Sequence, residues 1–302
     1  MAVETRSLHP AHLWPGVKAF FGLTYKELPK QYEKVFETLK SDKAYEEIVE
    51  TTGYGLPVKK NEGQSIAYDL SGEGYKSRLT HVVWALGMMV SREAIDDNQY
   101  KSLSEQKARA LAFSMRQGAE VVHANIFNRA FSGSYVGGDG VAMCSTAHPT
   151  TSGNQANTPT VAADLDEAAL EDALIDIMLY KNNRGLQINV APKRLIVPPQ
   201  LSFIAERILK SDKQSGTANN DTNAVRSMGL LQEGAYVWRY LTGEDDWFIQ
   251  TDVPKSLIRY QRDAMELSKD NDFDTENAKS KARERYIAGW ADWRGIHGVQ
   301  GA

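Results

Sequence analysis

Several absences narrow this sequence before any motif is considered. A single cysteine stands among 302 residues, so no disulfide can form within the chain. A secreted scaffold stapled by disulfides is excluded. No apolar run approaches the roughly twenty residues that a membrane-crossing helix needs. The opening Met1-Ala2-Val3-Glu4-Thr5-Arg6 has neither the basic start nor the apolar stretch of a signal peptide. These absences predict a soluble chain, made in the cytoplasm and held together by burial alone. Hydrophobic content of 42% and charged content of 25% are ordinary for such a chain, and 302 residues allow a sizeable core and two subdomains. Lys and Arg total 35 against 39 Asp and Glu, a net charge of −4. That balance argues against a dedicated nucleic-acid binder, although a local basic patch fits within it.

Signatures of chemistry are also scarce. The six histidines are scattered. Cys144 and His148 have the residue types of a nucleophile and its base. Gly137-Gly138-Asp139-Gly140 before them and Pro149 after them argue against a helix that would pair them. No second pair of ligands has zinc spacing. Asp270, Asp272, Asp274 and Glu276 begin like a calcium loop, but Thr275 stands where glycine is needed and Lys281 where the closing glutamate belongs. Gly72-Glu73-Gly74-Tyr75-Lys76-Ser77 lacks the spacing of a phosphate loop and reads as a hairpin tip. Neither Asp96-Asp97 nor Asp245-Asp246 makes a facing carboxylate pair. A chain of this size with no pocket signature leans toward structure or interaction.

What is present is an order of parts. Residues 1–28 read as an arm broken by Pro10, Pro15 and Gly16, yet carrying Leu13, Trp14, Phe20, Phe21 and Leu23. An arm with that much apolar surface wants a partner. Tyr32, Val35, Phe36 and Leu39 predict a helix over 29–40, with Pro29 at its start, and a short turn covers 44–50. After the breaker Thr52-Gly53-Tyr54-Gly55-Leu56-Pro57, an extended hairpin spans about 63–90. Ile66, Tyr68 and Leu70 alternate on the way out, and Arg78, Thr80, Val82 and Trp84 on the way back. Such an excursion is marginal by itself and must lie on something.

A helix over 102–131 follows, roughly 45 Å long at about 1.5 Å per residue. Ser102 and Glu105 have capping-box spacing. Ala108, Ala112, Met115, Ala119, Val122 and Ile126 form one narrow stripe, with Lys107, Arg109, Arg116 and Arg129 pointing elsewhere. Polar, irregular chain runs to about 163. Asp164 and Glu167 then cap a helix that ends at Asn182-Asn183-Arg184-Gly185. Leu195-Ile196-Val197 is a buried strand stopped by Pro198-Pro199, and a helix covers 199–211. Asp212–Asn223 is a polar loop. Tyr236–Leu241 and Trp247–Thr251 read as strands joined by a turn, and Ser256–Arg262 as a further strand. Tyr286, Trp290 and Trp293 sit in sheet within 282–297. The polar tail Gly298-Val299-Gln300-Gly301-Ala302 has little means of ordering itself and is expected to be held by neighbouring chains. The mixture is α+β. A long rod beside a protruding hairpin suits a building block better than an enzyme with a pocket.

At this point the sequence resembles the major capsid proteins of tailed bacteriophages, with the Hong Kong 97-type fold. The resemblance rests on Met143-Cys144-Ser145-Thr146-Ala147-His148-Pro149, Leu195-Ile196-Val197-Pro198-Pro199, Trp247-Phe248-Ile249 and the closing Arg285-Tyr286-Ile287-Ala288-Gly289-Trp290-Ala291-Asp292-Trp293-Arg294-Gly295, in that order. It implies an N-terminal arm over 1–54, an extended loop over 55–84 and a peripheral domain over 85–159 with its spine helix at 102–131. An axial domain over 160–234 would follow, then a return to the periphery over 235–302.

It further implies a non-enzymatic protein without cofactor or metal, assembling with itself into hexamers and pentamers of an icosahedral shell around double-stranded DNA. Implied partners are a separate scaffolding protein, a portal protein, a decoration protein and the packaged DNA without sequence specificity, with no membrane. The location is the virion, after synthesis in the host bacterial cytoplasm. No scaffolding segment is expected ahead of the arm, and no motif supports covalent crosslinking at Lys76. The expected inter-subunit contacts are Trp14, Phe20, Phe21, Gly72, Glu73, Gly74, Tyr75, Lys76 and Arg78, with Lys76 and Arg78 pairing acids near Glu46-Glu47 of an underlying subunit. The alternatives are a bacterial nanocompartment shell and, from a different class, a hydrolase using Cys144 and His148.

Overall fold

A computed structural model describes residues 14–91, 93, 100–213, 222–271 and 277–302. In chain order its elements begin with α1 (Trp14–Glu27), β1 (Glu37–Lys40), β2 (Tyr45–Thr51), β3 (Glu73–Thr80), β4 (Val82–Val90) and α2 (Tyr100–Asn128). Next come β5 (His148–Thr150), β6 (Gly153–Gln155), α3 (Glu167–Met178), β7 (Pro192–Val197), α4 (Ser202–Lys210) and α5 (Ala224–Met228). The chain closes with β8 (Ala235–Val237), β9 (Trp247–Thr251), β10 (Leu257–Asn271), β11 (Ala278–Trp290) and β12 (Ile296–Val299). Two compact units share these elements. The first draws its described residues from Met1–Ala44, Thr80–His123 and Arg259–Ala288, and the second from Tyr45–Leu79, Ala124–Ile258 and Gly289–Ala302.

The first unit is a four-stranded sheet, in the order β1-β10-β11-β4, with α2 packed on it. Long unbranched side chains and alanines from Glu105 to Glu120 favour the helix, and no proline interrupts it. Ala108, Ala112, Met115 and Ala119 are buried, as their spacing predicts, while Val122 and Ile126 are only half covered. The small residues let the helix approach Leu267 on β10 and Ala282 on β11. The helix begins at Tyr100, so Ser102 lies inside its first turn and is not its cap. Arg116 does not point outward. It is buried, with its guanidinium 3.8 Å from the centre of the Tyr25 ring on α1.

Four expectations fail in the N-terminal half. Pro15 and Gly16 stand at the start of α1, where neither breaks a helix. The stretch 29–40 is a single 3₁₀ turn (Tyr32–Lys34) followed by β1. The Gln31 and Tyr32 amides donate to the Glu120 carboxylate at 2.7 and 3.1 Å, so the chain is tied there without continuing as a helix. Tyr32, Val35 and Phe36 are buried as the pattern suggests, and Tyr32 stacks on His123 at 4.1 Å. The stretch 44–50 is strand β2, not a turn. The fourth difference is the hairpin itself. The strand expected at Ile66–Leu70 is irregular, and β3 pairs with β2 while β4 pairs antiparallel with β11.

The second unit is built on the sheet β12-β9-β7-β8. Leu195, Ile196 and Val197 are fully buried at its centre, as expected of an apolar run stopped by two prolines. β7 runs parallel to β8 and antiparallel to β9, so β8 and β9 are not the adjacent pair that the turn at 242–246 suggested. Leu170, Ala173, Leu174 and Ile177 of α3 pack into the same core as Trp247, Ile249 and Trp293. The cap of α3 is Asp166, whose side chain accepts from the Ala169 amide at 2.6 Å, and not Asp164. The helix ends at Met178, ahead of the Asn182–Gly185 turn. Within the loop 212–223, residues 214–221 lie outside the described residues. Asn223 ends that loop by capping α5, accepting from the Arg226 amide at 3.0 Å.

The C-terminal tail is held by its own chain. β12 pairs with β9, the Gly301 amide donates to Asp246 at 3.2 Å, and the Ala302 amide donates to Asp164 at 3.1 Å. The acidic cluster from Asp272 to Glu276 lies outside the described residues, and so does Asp96-Asp97.

Candidate assembly surfaces and the Cys144 neighbourhood

The surface with most to offer a partner is the loop between β2 and β3. Its base is closed by backbone and side-chain bonds together. The Thr52 amide donates to the Gly72 carbonyl at 2.9 Å, and the Gly72 amide returns a bond to Thr52 Oγ1 at 2.9 Å. Across the two strands Lys76 pairs with Glu47 at 2.6 Å, and the Arg78 guanidinium lies 3.7 Å from the centre of the Tyr45 ring. Asp69 organises the loop further along, accepting from the Gly55 amide at 2.7 Å and its neighbour Leu70 at 2.8 Å. Those backbone bonds hold the Asp69 carboxyl below the usual carboxylate range, with Arg184 adding a smaller pull in the same direction. Arg184 also donates to the Leu70 carbonyl at 2.5 Å.

This anchored loop exposes its apolar side chains. Tyr54 is 64% exposed, Leu56 74%, Val58 74%, Ile66 63%, Tyr68 92% and Leu70 84%. Single exposed apolar residues are unremarkable, but six on one loop mark an interaction surface.

The expected contact residues sort unevenly against this geometry. Gly72 and Glu73 are exposed at the start of β3, Gly74 is half-buried, and Tyr75 is half-buried against the core of the second unit. Lys76 and Arg78 are exposed, but the acid they meet, Glu47, belongs to their own chain. Trp14 and Phe20 stand in α1, and their side chains lie outside the described residues. Phe21 is buried in the core of the first unit, covered by its own chain. The sequence placed the hairpin tip at Gly72–Gly74 and so passed over Tyr54, Leu56 and Val58. The breaker-rich stretch 52–57 was the available signal.

Cys144 and His148 do not form a catalytic pair. His148 is fully buried, 4.5 Å from Trp293 and stacked on it. Its Nδ1 lies 2.6 Å from Asp139 Oδ2 and its Nε2 lies 2.9 Å from Asn157 Oδ1. The Asn157 amide is oriented by three acceptors, because its Nδ2 donates to the carbonyls of Met143, Trp293 and Ile296 at 2.8, 3.1 and 2.9 Å. Oδ1 is therefore the atom facing His148, and Nε2 must donate to it. Both imidazole nitrogens are thus committed to structure. Cys144 is buried against Gly298, and burial pushes its thiol well above the usual range, the reverse of an activated nucleophile. No group of acidic, histidine or cysteine side chains that could hold a metal occurs among the described residues. No described helix is long and apolar enough to cross a membrane.

Comparison with known proteins supplies the family. The family model described as phage capsid protein matches residues 75–299. The chain belongs to the phage capsid protein family. No curated protein matches the sequence. Among solved structures, the capsid of the cyanophage P-SCSP1u aligns at a TM-score of 0.55 with 9% identity, over 91% of this chain and 88% of that one. The virus-like particle from Pyrococcus furiosus aligns at 0.51 with 11% identity, over 94% and 98%. A structure from Mycobacterium phage Che8 aligns at 0.51 with 16% identity, over 92% of each chain. These likenesses carry the fold, an α+β fold of Hong Kong 97 type. The capsid protein is accordingly a structural subunit, the major component of an icosahedral phage shell.

Proposed function

We propose that this capsid protein encloses a double-stranded DNA genome in a shell of hexamers and pentamers, and that the loop at 52–72 fastens each copy to the next. The observation that carries the reading is the set of six exposed apolar side chains on a loop anchored at its base by Asp69, Arg184 and the Thr52–Gly72 bonds. A loop rigid at its root loses less entropy when it docks. Many such contacts act together in a closed shell, so each need be only moderately strong. Residues 160–234 form the axial region at capsomer centres in this reading, with 85–159 and 235–302 at the periphery. A separate scaffolding protein guides closure, and portal and decoration proteins complete the particle. Net negative charge suits DNA held by confinement with few specific contacts.

Electron microscopy of the purified protein tests the reading, with and without the scaffold candidate encoded beside it. Closed shells or capsomer rings are expected. A monodisperse monomer under both conditions would refute it.

A further inference from the structure

The first unit holds a pocket of about 550 Å³ lined by α1, by Arg116 of α2 and by β10 and β11. Its walls are largely apolar and aromatic, with Phe21, Tyr25 and Leu267 among them. Two of its cations are buried, Arg259 at 2% and Arg116 at 4% exposed. Arg116 Nη2 donates to the Tyr25 carbonyl at 2.8 Å. Its Nε and Nη1 are buried with no acceptor among the described residues. Leaving the donors of a buried cation unmet is costly, and an incoming oxyanion removes that cost.

The neighbouring charge does not satisfy Arg116. Glu284 in the same pocket is taken by Arg259 at 2.5 Å and also accepts from the Tyr25 hydroxyl at 3.3 Å. Lys18, Lys26 and Lys30 line the pocket with exposed side chains. Among the described lining residues five cations stand against one carboxylate, in a chain whose net charge is −4; Lys30 also pairs with Glu33 outside the lining, which leaves Arg116, Lys18 and Lys26 in excess.

We propose that this pocket binds a carboxylate side chain carried on an acidic peptide segment of another protein chain. The shape favours a peptide over DNA. A duplex presents its phosphates on a broad convex surface that can meet the exposed lysines but cannot reach a side chain as buried as Arg116. A glutamate or aspartate flanked by an apolar residue satisfies the Arg116 donors and the aromatic walls together.

The test is direct binding of a fluorescent glutamate–leucine peptide to the full-length protein before assembly, with inorganic phosphate and duplex DNA as competitors. The peptide should bind, weaken as salt rises, and lose about tenfold or more in affinity in Arg116→Gln. A Lys18→Ala/Lys26→Ala variant should lose roughly threefold. Circular dichroism establishes that each variant is folded. Where Arg116→Gln is not folded the lysine pair decides, since both side chains are exposed. Peptide binding that is absent, or unchanged in the deciding variant, overturns the proposal. So does DNA or phosphate binding that depends on Arg116 when the peptide does not bind.

Discussion

Replacing Leu56, Tyr68 and Leu70 together by serine should abolish assembly at concentrations where the unaltered protein forms shells, and should leave the subunit as stable as before. These side chains are 74, 92 and 84% exposed, so their removal takes little packing from the subunit. Covered by a neighbour, each contributes about 1.5 kcal/mol at the low end of full apolar burial, or roughly 4–5 kcal/mol for the three. The entropic cost of association is shared by variant and parent, so the difference passes into the contact itself. At about 1.4 kcal/mol per tenfold, each loop contact weakens by roughly a thousandfold. Light scattering against protein concentration reads the assembly threshold, and thermal unfolding of the unassembled subunit reads the fold. Shells at an unchanged threshold would show that the loop does not fasten copies together. A fall in Tm of more than a few degrees would show that the loop is packed within its own subunit.

Three further outcomes follow from the geometry. Gly137→Ala should destabilise by about 2–3 kcal/mol, because an added Cβ would sit 2.0 Å from the Trp290 ring, whereas Gly133→Ala, with nothing within 4 Å, should be close to neutral by comparison in denaturant unfolding. Burial pushes the imidazole pKa of His297 down to about 4 and that of His123 down to about 3, against an ordinary 6.5, so both are neutral in the fold. Their contribution is fully present above pH 6.5 and is lost as pH falls toward those values, at about 1.4 kcal/mol per pH unit for each; urea midpoints measured down from neutral pH should show the slope, and His297→Gln should lessen it. Cys144 should resist a thiol reagent in the folded subunit and react at once in denaturant; rapid labelling of the native protein would reopen the hydrolase alternative.

The sequence disclosed those elements whose physical cause is local. The stripe through Ala108, Ala112, Met115 and Ala119 repeats for long enough to fix α2, and Leu195-Ile196-Val197 ahead of two prolines could only be a short buried strand. Elements formed by distant partners were hidden. Tyr32, Val35 and Phe36 carry a helical period, yet their backbone is tied by Glu120, nearly ninety positions away, and by pairing of β1 with β10. β2 is rich in glutamate and reads as a turn until Lys76 on β3 supplies the opposite charge. The partners of His148 were unreadable for the same reason. Asp139 and Asn157 sit nine residues either side, in irregular chain that has no period to betray them. Of the assembly surface, the hairpin was legible as a protrusion. The exposure of its side chains was not, because exposure depends on where the strands lie, and β2 ends at Thr51 while β3 begins only at Glu73.

Both units are interleaved along the chain, so each depends on segments far apart in the sequence. The first unit needs β1 from the beginning and β10 and β11 from near the end. The second is closed by β12, the last of the described strands, whose Ile296 carbonyl is also one of the three acceptors that hold Asn157. Without the segment from β10 to β12 neither sheet is complete, and the amide of Asn157 lacks its bonds to Trp293 and Ile296. Each unit therefore closes only when strands far apart in the sequence have met, so neither is an independent stretch of chain that could be cut out and folded alone.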